Sequence, residues 1–167
     1  MRYNKGPLGA LMDEYERAAS EFISLIETVP PFIYDEVLNT TSERDLISIK
    51  NICFHVLFAG YGYANAIRSK FEIEKNSPSK FYPTHSEFRV SLLAMLSYTD
   101  TTLTDLYSMT DDDLTATNIP LRWSDHHDLE ALMEHAIVHV LRHRRQVERL
   151  LAQAVSTTSV SVETIGP

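Results

Sequence analysis

Three of the chain's seven histidines stand four residues apart in the segment "EHAIVHVLRHRRQVERL" (134–150): His135, His139 and His143. The segment has the apolar spacing of a helix, so neighbouring histidines of the row lie on one side of it, about 6 Å apart along the axis. Two such imidazoles can bind the same metal ion through bonds of about 2 Å. All three cannot share one ion, because His135 and His143 are separated by about 12 Å of helical rise.

The apolar face of this helix distinguishes the two possible pairs. On a helical wheel His143 lies roughly 30° from the centre of that face, His139 about 70° and His135 about 110°. The wheel therefore favours His139 and His143 as an inward-facing pair. It places His135 at the edge of the face, where we expect a solvated or hydrogen-bonded histidine. Two imidazoles alone hold an ion weakly, so a metal site needs a further ligand.

His55, in "ISIKNICFHVLFAGYGYANAI", is the only histidine inside another predicted helix, and it is our candidate for the third ligand. Small or amide-bearing residues share its face and predict an open cleft beside it: Asn51, Ala59, Gly62 and Ala66. The spacing is equally compatible with close helix packing at Gly60 and Gly62 around a hydrogen-bonded core His55. The first interpretation predicts a metal centre of His55, His139 and His143.

Two further residues are candidates for supporting these ligands. Gln146 is near His139 and His143 in helical phase and can hydrogen-bond the imidazole nitrogen that does not bind the ion. Asn51 is the corresponding candidate beside His55. An alternative for Gln146 is an edge residue in contact with solvent.

Three neutral imidazoles would leave the charge of a divalent ion uncompensated and at least one tetrahedral position free. A water there would acidify, or a thiol would bind as thiolate, and either is a nucleophile near neutral pH. The chain has no H-E-x-x-H motif, which disfavours a zincin protease, and no E-x-x-H on a helix, which argues against a di-iron bundle. We identify no carboxylate as general base, so the catalytic residues are unknown. Zinc, nickel and iron all suit imidazole ligands.

The other reactive side chains have simpler explanations. Cys53 lies about 160° from His55 on the wheel, toward the apolar side, and is interpreted as a small buried hydrophobe. His85, His126 and His127 stand at predicted helix starts, where capping and exposure account for them.

The last helix also carries a row of arginines: Arg142, Arg144, Arg145 and Arg149. They can attract an acidic thiol or carboxylate substrate. Cations near a helix C-terminus also interact favourably with the helix dipole, and Arg144 can pair with Glu148. A solvated face is therefore the simpler interpretation.

Apolar residues at three-and-four spacing predict the four long helices that carry these side chains. The first begins near Leu8 and ends before "VPP" (29–31), because proline blocks its continuation. The second holds the third candidate ligand; Ser42 or Ser48 caps it, and it runs to about Phe71.

A capping box of Thr84 and Glu87 opens the third helix, which is predicted to continue to about Met109. An acidic linker follows. Ser124 or Asp125 then caps the fourth helix, which holds the histidine row.

The fourth helix is predicted to end near Ala154. We therefore assign residues 1–155 to one bundle domain and residues 156–167 to a flexible C-terminal tail. The sequence shows no convincing alternating strand pattern and no internal repeat. These features indicate an all-α fold, a four-helix bundle with a long connection between its second and third helices.

Composition restricts the possible partners. With 44% hydrophobic and 23% charged residues the chain is expected to fold, and a net charge of −8 argues against nucleic-acid binding. No apolar run approaches the roughly 18 residues of a membrane span. One cysteine cannot form an internal disulfide, so we expect a cytoplasmic protein without a membrane partner.

The segments around the three histidines resemble the DinB/YfiT-like family. "HVLRHRRQV" (139–147) is similar to the pattern of its fourth helix: two histidines four apart, then arginine, and glutamine with an aliphatic residue three positions after the second histidine. "ICFHV" (52–56), after a serine-led helix start, is similar to the histidine segment of its second helix. The family consists of bacterial four-helix bundles with one metal-binding histidine on the second helix and two on the fourth. The resemblance covers about residues 5–154. It implies His55, His139 and His143 as the metal ligands, which include the pair that the helical phase favours.

Members of that family include thiol-dependent transferases and isomerases. The resemblance therefore implies a divalent-metal-dependent enzyme with a small-molecule or thiol substrate, with thiol-linked transfer preferred to hydrolysis. The alternative is a non-catalytic dimeric bundle with a structural or vestigial metal site. The tyrosine-rich aromatic content can supply a homodimer interface, since bundles of this size often pair through two helices.

Overall fold

The computed structural model describes residues 6–38, 47–79, 81–121 and 124–163. These ranges are mostly helical, which confirms the helical class, and none of their helices is both long and apolar enough to cross a bilayer. The helices are α1 (Gly6–Thr28), α2 (Pro31–Asp35), α3 (Ile49–Lys70), α4 (Phe88–Thr102), α5 (Asp111–Ala116) and α6 (Leu129–Glu163). The two antiparallel strands are β1 (Asn118–Leu121) and β2 (Ser124–Asp128).

The ends of α1 and the start of α3 follow local sequence chemistry. α1 stops before "VPP", and Pro31 then opens the short helix α2, because proline is tolerated in a first turn but not in an interior. Ser48 caps α3, its hydroxyl accepting a hydrogen bond from the Asn51 N–H at 3.1 Å. Of the two predicted caps Ser48 is thus confirmed, and Ser42 lies outside the described residues.

The capping box that opens the third long helix is present. The Thr84 N–H donates to Glu87 Oε2 at 2.9 Å, and a 3-10 turn (His85–Glu87) leads into α4. The prediction that this helix continues to Met109 is wrong: α4 ends at Thr102, and a second 3-10 turn and α5 follow. The last turns of α4 are rich in threonine, whose hydroxyls bond carbonyls four residues earlier and weaken helical propensity.

The start of the last helix also differs from the prediction. Ser124 and Asp125 belong to β2, so the prediction that one of them begins the helix is wrong; α6 begins at Leu129, and Asp128 Oδ1 accepts a hydrogen bond from the Ala131 N–H at 2.7 Å. The hairpin of β1 and β2 was not expected from the sequence. Its strands have four and five residues. Strands this short do not show a recognisable alternation of apolar and polar residues in the sequence.

α6 is longer than predicted. It continues past Ala154 to Glu163, a length of 35 residues. The flexibility assigned to residues 156–167, and with it the domain boundary at residue 155, stays a prediction.

The four long helices share one core. α1 packs against α4 and α6, and α3 packs against the same two helices. α3 faces α4 through Gly60 and Met95 near its middle and through Arg68 and Thr102 further along, so these two helices run parallel. Parallel neighbours need a long connection, which is the segment between Lys70 and Phe88. The core includes large, fully buried side chains from α1, α3 and α4: Met12, Tyr15, Phe22, Ile52, Ile67, Leu92 and Met95.

Candidate metal centre

The structure brings His55 of α3 together with His139 and His143 of α6. His139 Nε2 lies 3.1 Å from His55 Nε2 and 3.2 Å from His143 Nε2, and the ligand nitrogens of the group all lie within 4.8 Å of one another. Around a tetrahedral zinc with bonds of about 2.0 Å, ligand nitrogens are about 3.3 Å apart. Among the described residues these histidines form the one group with metal-ligand spacing. The predicted trio is thus positioned to bind a single ion.

Helix geometry accounts for this convergence. His139 and His143 are one turn apart on α6, so both rings lie along the same side. Tyr63, two turns after His55 on α3, contacts the rings of His135 and His139, which precede His143 on α6. The two helices are therefore antiparallel. His55 is half-buried, and its ring contacts those of His139 and His143 where α3 and α6 face each other.

Gln146 holds the ring of His143 from the opposite side. His143 Nδ1 lies 2.9 Å from Gln146 Oε1, and since a carbonyl oxygen only accepts, the Nδ1–H is the donor. A neutral imidazole with its proton on Nδ1 has a lone pair on Nε2, which is the atom directed at His139 and His55. The contact that helical phase predicted for Gln146 is thus present and stabilises the metal-binding tautomer of His143.

Asn51 occupies a different environment. It lies one turn before His55 and is half-buried, and its Oδ1 accepts a hydrogen bond from the Ser48 hydroxyl. This contact holds the start of α3. A role for Asn51 beside a metal ion stays a prediction.

The electrostatics of the group favour neutral imidazoles. Burial, followed by the neighbouring His143 and His55, lowers the pKa of His139 to about 3. Burial also lowers the pKa of His143 to about 4, against the opposing effect of the Gln146 hydrogen bond. Both rings are therefore unprotonated at neutral pH, the form in which imidazole binds metals. The group contains no carboxylate, so the protein would not neutralise the charge of a bound cation.

His135 and Tyr63 border the site without joining the ligand group. The ring of His135 stacks on His139 with centroids 6.1 Å apart, and Tyr63 contacts both rings edge-on at 5.4 and 5.7 Å. Burial lowers the pKa of His135 and raises that of Tyr63 to about 12. His135 is half-buried, in agreement with its predicted edge position.

Two of these neighbours were not expected. His127, predicted at a helix start, lies in β2 with its ring perpendicular to His135 at 6.0 Å. Its approach depends on the hairpin, which the sequence did not reveal. Tyr63 was not predicted to lie at the site, although its spacing of two turns from His55 on α3 is a usable signal.

The predicted cleft along α3 is open at one glycine and closed at the other. Gly62 is exposed, and a Cβ there would meet nothing within 4 Å, whereas a Cβ at Gly60 would lie 2.5 Å from Met95 Sδ. Ala59 and Ala66 are half-buried beside the open edge. Gly60 thus serves helix packing, as the alternative interpretation proposed, while Gly62 leaves free space.

A cavity of about 100 Å³ lies on the outer side of α3, away from the ligand group. It includes Gly62 but none of the three histidines, and its walls are mostly aromatic: Phe54, Phe58, Tyr61 and Phe81. The open space at Gly62 therefore belongs to this cavity and not to the ligand group.

The remaining candidates mostly have structural roles. Cys53 is fully buried and burial raises the pKa of its thiol, which confirms the interpretation as a hydrophobe. His85 bonds the Ile26 carbonyl oxygen through Nε2 at 2.9 Å. The side chain of His126 lies outside the described residues.

No family model matches the sequence, and no curated protein or solved structure is significantly similar to it. The DinB/YfiT-like resemblance therefore rests on residues 52–56 and 139–147, and membership of that family stays a prediction. The geometry of the three imidazoles is independent of it.

Proposed function

We propose that this chain is a divalent-metal-dependent enzyme of the DinB/YfiT-like bundle type, with His55, His139 and His143 as the metal ligands. The reaction we propose is thiol-linked transfer, with hydrolysis as the other chemistry open to the same site. The observation that carries the proposal is the convergence of three Nε2 atoms from two helices at 3.1 and 3.2 Å.

The donor set fits zinc, nickel or iron. Three imidazoles leave the charge of a divalent ion intact and leave at least one position open in tetrahedral geometry. An ion held in this way lowers the pKa of a bound water or thiol. The protein's own residues hold and orient: Gln146 keeps the His143 proton on Nδ1, and buried Tyr63 shields the inner side of His139 from water.

A non-catalytic bundle with a structural metal is the second candidate. One observation favours it, namely that the aromatic cavity beside α3 does not include the histidines. The two candidates differ in what happens when metal is removed. A structural ion supplies folding free energy, so its loss unfolds the chain, whereas a catalytic ion leaves the fold in place.

The test is metal stoichiometry by elemental analysis of protein purified without a histidine tag, loaded with zinc and freed of excess metal. We expect one ion per chain for the unmodified protein, and less than a tenth of that for His139→Ala. His85→Gln, which changes a histidine outside the group, is the matched control and should keep one ion.

Absence of stoichiometric metal after loading would contradict the proposal. Circular dichroism melting of the chelated protein then separates the two candidates. An unchanged helical signal with a melting temperature lowered by only a few degrees supports the catalytic site, and loss of the helical signal supports the structural one.

A further inference from the structure

The aromatic cavity on the outer side of α3 is separate from the three-histidine group and has walls from two segments. One wall is a face of α3, and the other is the connection that leads from α3 to α4. Phe58 of the helix and Phe81 of the connection line it and are 48% and 42% exposed. Contact of two phenyl rings with water is unfavourable, so a ligand that covers them gains free energy.

The volume of the cavity limits its ligand to about one ring. Its volume is about 100 Å³, whereas sites for drug-sized molecules have about 300 to 1,000 Å³. A closed apolar cavity of about 150 Å³ holds benzene. Because the phenylalanines of this cavity are partly exposed, a ring bound here can extend a little way into solvent.

One end of the cavity carries a directed chain of hydrogen bonds. The Tyr98 hydroxyl of α4 donates to Asn65 Oδ1 at 2.7 Å, and Asn65 Nδ2 donates to Ser77 Oγ at 2.9 Å. Asn65 and Ser77 both line the cavity. The Ser77 oxygen accepts in this chain, and its own O–H has no acceptor among the residues that the structure describes. The chain therefore ends in a hydrogen-bond donor at the cavity wall.

Arg68 fixes the position of this donor. It is 5% exposed, and its guanidinium lies over the Tyr98 ring, 4.0 Å from the centroid. Its Nη1 donates to the Glu74 carbonyl oxygen at 2.6 Å and to Asn76 Oδ1 at 3.3 Å, which ties the connection to α3 directly before Ser77. The positive charge also favours an electron-rich acceptor at this end of the cavity.

We propose that this cavity binds a small planar aromatic molecule that carries one acceptor oxygen, such as a phenol. The ring packs against the phenylalanines, and the oxygen accepts a hydrogen bond from the Ser77 hydroxyl. A purely apolar ring would displace water from that hydroxyl without replacing its hydrogen bond. An aliphatic ring is thicker and lacks the edge-to-face contacts of an aromatic one. Because none of the three histidines lines the cavity, the inference is independent of the metal site.

The experiment titrates phenol, toluene and cyclohexanol into nitrogen-15-labelled protein and follows the backbone amide signals by NMR. Toluene matches phenol in shape without the oxygen, and cyclohexanol has the oxygen without the aromatic ring. We expect phenol to bind with a Kd on the order of 1 mM, as befits a one-ring ligand. Cyclohexanol should bind about fivefold more weakly, since it lacks the aromatic contacts. The amide signals of Ser77, Ser79 and Phe81 should shift.

Three variants locate the ligand. Ser77→Ala should weaken phenol binding about fivefold and leave toluene binding unchanged, because only phenol uses the hydroxyl. Ser79→Ala is the matched control, since Ser79 lines the same cavity outside the hydrogen-bond chain, and it should bind all three compounds normally. Gly62→Leu should abolish binding of all three. A Cβ at Gly62 meets no atom within 4 Å, so the leucine fills the cavity without displacing the protein.

Each outcome decides a separate claim. Absence of any amide shift with phenol, or unchanged phenol binding by Gly62→Leu, overturns the site. Equal phenol affinities of Ser77→Ala and Ser79→Ala, or loss of toluene binding in Ser77→Ala, overturn the role of the Ser77 hydroxyl as donor to the ligand. Equal affinities for phenol and cyclohexanol overturn the aromatic ligand class.

Discussion

The hydrogen bond between His143 and Gln146 is the contact on which the protonation of the site depends. His143 is 3% exposed, so its Nδ1–H has little access to water and relies on Gln146 Oε1. Without that acceptor the proton is free to move to Nε2, which would remove the lone pair that binds metal.

We therefore expect Gln146→Leu to lower zinc affinity by about 10- to 100-fold, the usual effect of losing a residue that supports a metal ligand. Competition with a chromophoric chelator measures the affinity. Gln146→Glu retains an acceptor at the same place and should bind zinc at least as tightly as the unmodified chain. Equal affinities for the Leu and Glu variants would show that the contact does not govern metal binding.

At the level of helices, the packing of α3 on α4 depends on one glycine. Gly60 faces Met95, whose sulfur also accepts from the Tyr15 hydroxyl at 3.7 Å, so the space around it is filled from α1 and α4. Gly62, two residues later, faces open space. Alanine at either position raises helix propensity, but only at Gly60 does its methyl group also overpack the core.

Gly62→Ala should stabilise the protein by about 0.5 to 1 kcal/mol, because alanine restricts the unfolded chain and favours the helix. Gly60→Ala makes the same local change but forces the Met95 side chain to move inside a filled core. We expect it to be about 1 to 3 kcal/mol less stable than Gly62→Ala. Urea unfolding of both variants measures the difference, and equal stability would mean that α3 and α4 are not in close contact at Gly60.

For the molecule as a whole, burying neutral histidines links the fold to pH. The pKa is about 3 for folded His139 and about 4 for folded His143, against 6.5 for an unperturbed histidine. Below pH 6.5 the unfolded chain therefore binds more protons than the folded chain. Stability that is fully present above pH 6.5 is lost as the pH falls toward 4.

Urea unfolding of the chelated protein at pH 7.5 and 5.5 should show this loss, with a limiting slope of about 1.4 kcal/mol per pH unit for each histidine. A variant with His139→Gln and His143→Gln should lose less stability over the same interval, because two of the linked groups are gone. The prediction fails if both proteins respond equally to pH.

Homodimer formation stays a prediction.

Periodicity, caps and helical phase were sufficient to predict much of this protein. The ends of α1 and α3, the capping box at Thr84 and the inward-facing pair on α6 are local properties, because they depend on residues within about one or two turns of each other. His55 was identified from the predicted helices, as the only histidine inside a helix other than the last. These features did not require knowledge of which helices are neighbours.

Contacts between distant segments settled the rest. The hairpin at residues 118–128 is too short to show a strand period, and α4 ends early where threonine hydroxyls compete for backbone carbonyls. Gly60 and Gly62 are the same residue type in the same helix, yet only the position of α4 makes one of them a packing contact.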